Sequence, residues 1–138
     1  MSGSSFELLD HAVHNLPMFR PIETAPPGIV AFSAEGKITD SDYKSVLIPA
    51  VDAAVKAHGK ARILIRFGPE FEGYTAHAML DDAVFGTAHY TAFRRIAMVT
   101  DVDWLASTMR LFAPFIPGKM RVFPLAGQDE AMAWVAAD

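Results

Sequence analysis

The chain contains no cysteine, and this absence excludes several classes of site at once. Disulfide scaffolds, thiolate zinc sites, CxxC redox motifs and cysteine nucleophiles all depend on cysteine sulfur. No apolar run reaches the roughly 18 residues that a membrane-spanning helix needs. The first five residues, Met1 to Ser5, also lack the basic and apolar regions of a signal peptide. We therefore expect a cytoplasmic protein.

Positive charge is scarce as well, since 12 Lys and Arg residues stand against 16 Asp and Glu residues and give a formal net charge of −4. Nucleic-acid phosphates attract basic surfaces, so no nucleic-acid partner is expected. The motifs GxSxG, HExxH, GxxxxGKS or GxxxxGKT, and GxGxxG are all missing. His11 with His14, and His77 with Asp81, have spacings that share a helix face, but neither pair has an identifiable third ligand. We predict a non-enzymatic protein without metal or cofactor.

What the chain does have is apolar residues, which make up 51% of its 138 positions and include 10 Phe and 7 Met. This length and composition suit one compact domain with a sizeable core. Strand-type and helix-type patterns alternate along it. The predicted elements are a helix over 6–16, an edge strand over 18–23, a strand over 29–35, a helix from 39 or 40 to 58, a strand over 63–67, a helix over 75–93, a strand over 95–100, a helix from 101 or 103 to 112, a strand over 119–123 and a helix over 129–137.

This alternation predicts a single-domain α/β sandwich with about four flanking helices. Right-handed crossovers make the sheet mostly parallel, and the first two strands form an antiparallel hairpin. Residues 18–138 form the domain, and residues 1–17 are an appendage that contains a short helix. Pro49 falls within the helix that ends at His58, so we expect it to kink or restart that helix, and Gly59 marks its end.

Two carboxylates, Glu70 and Glu72, fall in a predicted loop over 68–74, after the central strand. Open α/β sheets bind ligands at this edge, where two carboxylates could serve as general acid and base. Solubility of the loop explains the same residues with fewer assumptions, and we expect no catalytic role for them.

The most informative segment runs over 103–119, where one helical stripe holds Trp104, Leu105, Thr108, Met109 and Phe112. Such a stripe suits a helix that faces the core. Leu111, Phe115 and Ile116 fall outside or beyond this stripe, so the segment has more apolar surface than one sheet face covers.

The stretch over 94–123 is also locally basic, with a formal charge of +3, and Arg110 and Lys119 flank the apolar segment. This combination is typical of a peripheral contact with an anionic membrane. It is equally typical of a surface that binds a protein partner or a second copy of the chain as a homodimer. We expect Leu111, Phe115, Ile116, Arg110 and Lys119 to make this contact in either case.

A second set of apolar side chains lies in and after the 68–74 loop. They are positioned to line a pocket for an apolar small molecule or lipid between the helices over 75–93 and 102–116. Filling of the core is the alternative role for each of them. The candidate ligand-binding residues are Phe71, Tyr74, Met79, Phe85, Trp104, Met109 and Phe112.

Several motifs, in order, resemble the SpoIIAA-like family of STAS-type proteins. They include Gly36-Lys37-Ile38-Thr39, His58-Gly59-Lys60, Gly68-Pro69-x-Phe71-Glu72-Gly73-Tyr74-Thr75, Arg95-Ile96-Ala97-Met98-Val99-Thr100-Asp101, Trp104 and Arg121-Val122-Phe123. The resemblance implies a STAS-like sandwich, non-enzymatic and similar in architecture to CRAL-TRIO lipid-binding domains. It also implies membrane association and binding of an apolar ligand.

The chain departs from anti-sigma-factor antagonists at one position. Those proteins carry a phosphorylatable serine after a central strand, whereas the segment Phe67 to Thr75 contains no serine. Thr75 is better explained as the N-cap of the next helix. A regulatory protein–protein module without a phosphorylation switch remains the alternative function.

Overall fold

Five strands form one sheet in the computed structural model, which describes residues 18–75, 92–112 and 120–137. The strands lie side by side in chain order, with β1 antiparallel to β2 and every other pair parallel. This confirms the predicted sheet and its N-terminal hairpin. The strands are β1 (Phe19–Pro21), β2 (Ile29–Ile38), β3 (Ala61–Tyr74), β4 (Phe93–Thr100) and β5 (Met120–Phe123).

Three helices flank the sheet in the described part of the chain. They are α1 (Ile48–His58), α2 (Asp103–Phe112) and α3 (Gln128–Ala136). Parallel strands that follow one another in chain order need right-handed crossovers, which place their connecting helices on the same face. Accordingly, α1 and α2 pack on one face of the sheet, and α3 covers the other. The helices predicted over 6–16 and 75–93 fall on 1–17 and 76–91, outside the described residues.

Each face of the sheet has its own hydrophobic core. Ile63 and Ile65 face the core under α1 and α2, whereas Leu64 between them faces α3. All three side chains are buried. The nearly continuous apolar run over 63–67 is therefore buried on both sides, as expected for an interior parallel strand.

The helical connection between β2 and β3 changes its winding before Pro49. A single helical turn (Asp40–Asp42) leads into a π-helical turn (Tyr43–Leu47), and α1 then begins with Pro49 as its second residue. Proline has no N–H to donate and its ring crowds the preceding turn, so a wider turn accommodates it. The predicted restart is confirmed. So is the helix end, where Gly59 has φ +84° and donates to the Val55 carbonyl.

The predicted loop over 68–74 is wrong, because these residues are part of β3. They pair with a longer β2, in which Gly36, Lys37 and Ile38 lie opposite Phe71, Gly73 and Tyr74. Register shifts on both sides of Gly36 let the strands continue past Pro69. Gly36 has φ +72°, a conformation that suits a β-bulge with glycine.

A buried carboxylate joins the first strand to the first helical turn. Asp42 accepts hydrogen bonds from the Met18 amide, the Thr39 amide and the Thr39 hydroxyl at 2.7–3.0 Å. Thr39 in turn accepts from the Asp42 amide, which completes a capping box. Asp101, directly after β4, accepts a hydrogen bond from the Leu125 amide at 3.0 Å, so it ties the end of β4 to the chain after β5.

Candidate functional site

A row of aromatic rings runs from the core under α1 to the surface at α2. Ring centroids are 6.2 Å apart for Tyr43 and Tyr74, 5.4 Å for Tyr74 and Phe71, and 6.2 Å for Phe71 and Trp104. Phe67 lies beneath the row, with its ring centroid 4.9 Å from that of Phe71. The structure thus brings together three of the predicted ligand-binding residues: Phe71, Tyr74 and Trp104.

The extension of β3 explains how these side chains meet. A loop over 68–74 would leave Phe71 and Tyr74 free to point in any direction. As strand residues paired with Gly36 and Ile38, they instead project onto the face that carries α2. The N-terminal turn of α2 places Trp104 beside them, because α2 begins directly after the carboxyl end of β4.

The outer face of α2 is apolar at two positions. Leu105 is only 1% exposed and faces the core with Ala106, whereas Trp104 is 53% exposed and Leu111 is 69% exposed. Met109 is half-buried against the same core. We refer to Phe71, Trp104 and Leu111 below as the α2 surface.

This orientation differs from the predicted stripe, which places Trp104 and Thr108 toward the core. Both are exposed, whereas Ala106, which is outside the predicted stripe, is buried. Ala106 is 6% exposed and lies with Leu105 on the buried side of α2, and Trp104 lies on the outer side. Thr108 donates its hydroxyl hydrogen bond to the Trp104 carbonyl at 2.7 Å and needs no partner in the core.

The basic stretch over 94–123 does not form one patch. Arg95 and Arg121 stack on the Trp134 ring of α3, on the far side of the sheet, with their guanidinium carbons 4.9 and 5.5 Å from its centroid. Arg94 lines a cleft at the amino ends of the strands. Of the described cations in this stretch, only Arg110 accompanies α2. The local charge that favours an anionic membrane is therefore divided among three places.

Arg110 faces an open cleft of about 450 Å³ at the carboxyl ends of β4 and β5. The cleft is shared with two carboxylates, Asp101 and Asp103, and with Thr100, Ala106 and Pro124. Arg110 thus lies at the edge of the α2 surface beside negative charge, and the exposed side of α2 is close to neutral overall.

Several predicted site residues lie outside the described part of the chain. They are Met79 and Phe85, which belong to 76–91, and Phe115, Ile116 and Lys119, which belong to 113–119. Phe112 is the last residue of α2, and its side chain is likewise not described. Their predicted roles stay predictions.

The described residues give no support to an acid–base pair or a metal centre. Glu70 forms an ion pair with Arg66 at 3.7 Å, and Glu72 is exposed on the same strand. Within 18–75, 92–112 and 120–137, no group of three or more His, Asp or Glu side chains is placed to hold a metal ion. No helix in these ranges is long and apolar enough to cross a membrane.

Sequence reasoning missed Tyr43 and Phe67 as members of the aromatic row. Tyr43 stands at the start of a helical stripe and Phe67 at the end of a buried strand, so each has an ordinary role in the core. Their contact with Tyr74 joins residues 31 and 7 positions apart in the chain. Only the pairing of β2 with the extended β3 produces it.

Comparison with known proteins identifies relatives of this architecture. A family model described as SpoIIAA-like matches residues 29–136. The chain is also similar to the crystal structure of an uncharacterised DUF3478-family protein with a SpoIIAA-like fold from Shewanella loihica PV-4. That similarity has a TM-score of 0.63 and 29% identity, and it covers 78% of this chain and 84% of the other. No curated protein matches the sequence.

Proposed function

The chain belongs to the SpoIIAA-like family, and on that premise we propose that it is a regulatory module that binds an apolar or amphipathic, lipid-like ligand through the α2 surface. Members of this family are typically non-enzymatic regulatory proteins, and the proposed role needs no catalytic residue. Binding would occur where Trp104 and Leu111 meet solvent beside Phe71.

The observation that carries the proposal is the exposure of Trp104 and Leu111 on one side of α2. Single exposed apolar residues are ordinary, but apolar residues that share one exposed side of a helix form a patch, and such patches mark contact surfaces. Transfer of a leucine-sized side chain from water to an apolar environment contributes roughly 1.5–3 kcal/mol. Two such residues with the edge of Phe71 supply enough for a weak, reversible association.

A reversible contact with a membrane is the second part of the proposal. Tryptophan favours the boundary between headgroups and acyl chains, where its ring is buried and its N–H remains hydrogen-bonded. Arg110, together with Lys119 in the following segment, would supply the positive charge for an anionic cytoplasmic leaflet. With so few cations, apolar contact contributes more than charge, so anionic lipid should strengthen binding only modestly.

Co-sedimentation with vesicles tests this function. We expect the wild-type chain to pellet with phosphatidylglycerol-containing vesicles and the Trp104→Gln/Leu111→Gln variant to remain in the supernatant. Ser107→Gln, an exposed polar position on the same helix, is the matched control and should pellet like the wild type. Equal pelleting of all three proteins would refute the membrane contact. Native mass spectrometry of gently purified protein tests the ligand, because an apo mass without extractable lipid contradicts it.

A protein partner is the second candidate, and the near-neutral outer side of α2 favours it. Asp103 and Arg110 offer opposite charges at the rim of an apolar centre, which is the usual composition of a protein interface. A second copy of the chain is the simplest such partner. Sedimentation velocity over a range of concentrations should then show dimers of the wild type and monomers of Trp104→Gln/Leu111→Gln.

A further inference from the structure

The open cleft of about 450 Å³ at the carboxyl ends of β4 and β5 brings opposite charges together beside α2. Asp103, Ala106 and Arg110 line it at intervals of three and four residues, so they share one side of the helix. Asp101, directly after β4, adds a second carboxylate. We refer to this space as the charged cleft.

The helix dipole explains the two charges of α2 only one at a time. An acid in the first turn and a base in the last turn each stabilise a helix, and Asp103 and Arg110 hold these positions. That role does not require both side chains to line one cleft. Both are exposed, and neither forms an ion pair or a side-chain hydrogen bond with another residue in the described ranges. Their charges therefore remain available to a ligand.

A buried hydroxyl group also lines the charged cleft. Thr100 is only 3% exposed, and its oxygen accepts a hydrogen bond from the Val102 amide at 3.0 Å. No acceptor among the described residues takes the hydrogen of this hydroxyl group. Since buried polar groups are normally satisfied, this donor is a second, independent indication that a polar ligand enters the cleft.

We propose that the charged cleft binds a zwitterion in which a short linker joins a primary ammonium group to a phosphodiester, as in an ethanolamine headgroup. The ammonium group would donate to Asp101 and Asp103, while the phosphate oxygens accept charge-assisted hydrogen bonds from Arg110. A purely anionic ligand would meet two carboxylates, and a purely cationic one would meet the guanidinium group. The cleft therefore matches a ligand that carries both signs of charge.

The spacing of the charges along α2 suits such a ligand. Seven residues separate Asp103 from Arg110, which corresponds to a rise of roughly 10 Å along the helix. Helical side chains lean toward the N-terminus, so the long Arg110 side chain brings its guanidinium group closer to the carboxylates. Ammonium and phosphate groups on a short linker then fall between them.

This proposal deepens the function proposed for the α2 surface and rests on it for the source of the ligand. Asp103 precedes Trp104 and Arg110 precedes Leu111 in the chain, so the cleft borders the exposed apolar side chains. A lipid whose acyl chains contact the α2 surface would place its headgroup in the charged cleft. Small soluble ethanolamine phosphodiesters share this chemistry.

A nuclear magnetic resonance titration with glycerophosphoethanolamine tests the cleft without any membrane. The Thr100, Asp103 and Arg110 amides should shift and saturate at millimolar concentrations. Glycerophosphocholine is the matched control ligand, because its quaternary ammonium group has no N–H to donate, and it should bind about threefold or more weakly. Loss of a charge-assisted hydrogen bond weakens binding roughly tenfold or more, so Asp103→Asn/Arg110→Gln should raise the Kd by at least that factor.

The matched control variant is Lys37→Gln/Glu72→Gln, which also removes one charge of each sign from exposed positions. It should leave the Kd for glycerophosphoethanolamine within about twofold. An absence of saturable shifts, equal binding of glycerophosphocholine, or equal weakening by the control variant would overturn the proposal.

Vesicles distinguish the two sources of the ligand. At a fixed content of phosphatidylglycerol, a lipid source predicts that phosphatidylethanolamine vesicles pellet more wild-type protein than phosphatidylcholine vesicles do. Asp103→Asn/Arg110→Gln should abolish that preference. Equal pelleting with saturable binding of glycerophosphoethanolamine identifies a soluble ligand. Saturable binding by a chain that pellets with no vesicles would refute the membrane contact and retain the cleft, whereas vesicle binding without glycerophosphoethanolamine binding would do the reverse.

Discussion

Asp42 is a buried carboxylate with a structural role, because both of its oxygens accept hydrogen bonds within the fold. One accepts from the Met18 amide, and the other accepts from the amide and the hydroxyl of Thr39. Asp42→Asn keeps the shape but replaces an acceptor oxygen by an amide group facing the Thr39 donors. A buried donor left without a partner costs about 1–3 kcal/mol, and we expect a loss of stability in that range. Asp40→Asn, which removes a solvent-accessible ion pair with Lys44, should lose less than about 1 kcal/mol. Urea unfolding of the two variants measures the difference, and equal losses would contradict this role.

Two glycines near the extended end of β3 differ in what an added methyl group meets. At Gly36, φ is +72° and a Cβ would lie 2.8 Å from the Met18 sulfur, so Gly36→Ala should cost about 1–2 kcal/mol. At Gly68, a Cβ would meet the ends of the Arg66 and Glu70 side chains, which can turn away. Because their exposed ion pair contributes little, Gly68→Ala should cost less than about 1 kcal/mol. Thermal unfolding should rank them in this order, and the reverse order would refute the bulge geometry.

Helix α2 contains two leucines on different sides, one facing the core and one facing solvent. Leu105 is 1% exposed and Leu111 is 69% exposed. Leu105→Ala should therefore cost about 2–5 kcal/mol, as core truncations do. Leu111→Ala should stay within about 0.5 kcal/mol, as expected of a surface position. Similar losses in the two variants, measured by denaturant unfolding, would mean that α2 turns a different side toward the sheet.

Elements with strong local signals could be predicted from the sequence, and those that depend on distant pairing could not. Gly59 ends α1 and Pro49 sits at its start because both effects act within one helical turn. The continuation of β3 to Tyr74 depends instead on its pairing with β2, where the register shifts on both sides of Gly36. Gly36 lies more than 30 positions before its partner Phe71 in the chain. Pro69 and the flanking glycines favour a loop locally, and only the paired β2 overrides them.

The same distinction applies to the rotation of α2. Its amphipathic pattern predicts a helix with one buried side, but the pattern alone is compatible with more than one rotation. In the structure the buried side holds Leu105 and Ala106, which are 1% and 6% exposed. The sequence pattern leaves Leu111 outside the buried stripe, and Leu111 is indeed exposed. The same pattern includes Trp104 in the buried stripe, but Trp104 is 53% exposed.

At the scale of the whole molecule, the fold could be predicted and the distribution of charge could not. Alternating strands and helices with ordered family motifs lead to the SpoIIAA-like sheet that the structure has. Neighbours in sequence do not stay neighbours in space, however: Arg94 and Arg95 are consecutive in β4 but line different parts of the molecule. Arg95 packs on Trp134, and Arg94 lines the cleft at the amino ends of the strands together with Lys60.

The central claim concerns the α2 surface, where Trp104 is 53% exposed. The chain has only two tryptophans, so Trp134→Phe leaves Trp104 as the sole indole fluorophore. A phenylalanine at 134 keeps an aromatic face for Arg95 and Arg121, and circular dichroism verifies the fold.

The most direct measurement is the emission of Trp104 in the Trp134→Phe protein as phosphatidylglycerol vesicles are added. Because the half-exposed indole would leave water, the emission should move to shorter wavelength and saturate, and a water-soluble quencher should lose its effect. Vesicle binding without any change in Trp104 emission or quenching would contradict the assignment of the α2 surface, and so would a complete absence of binding.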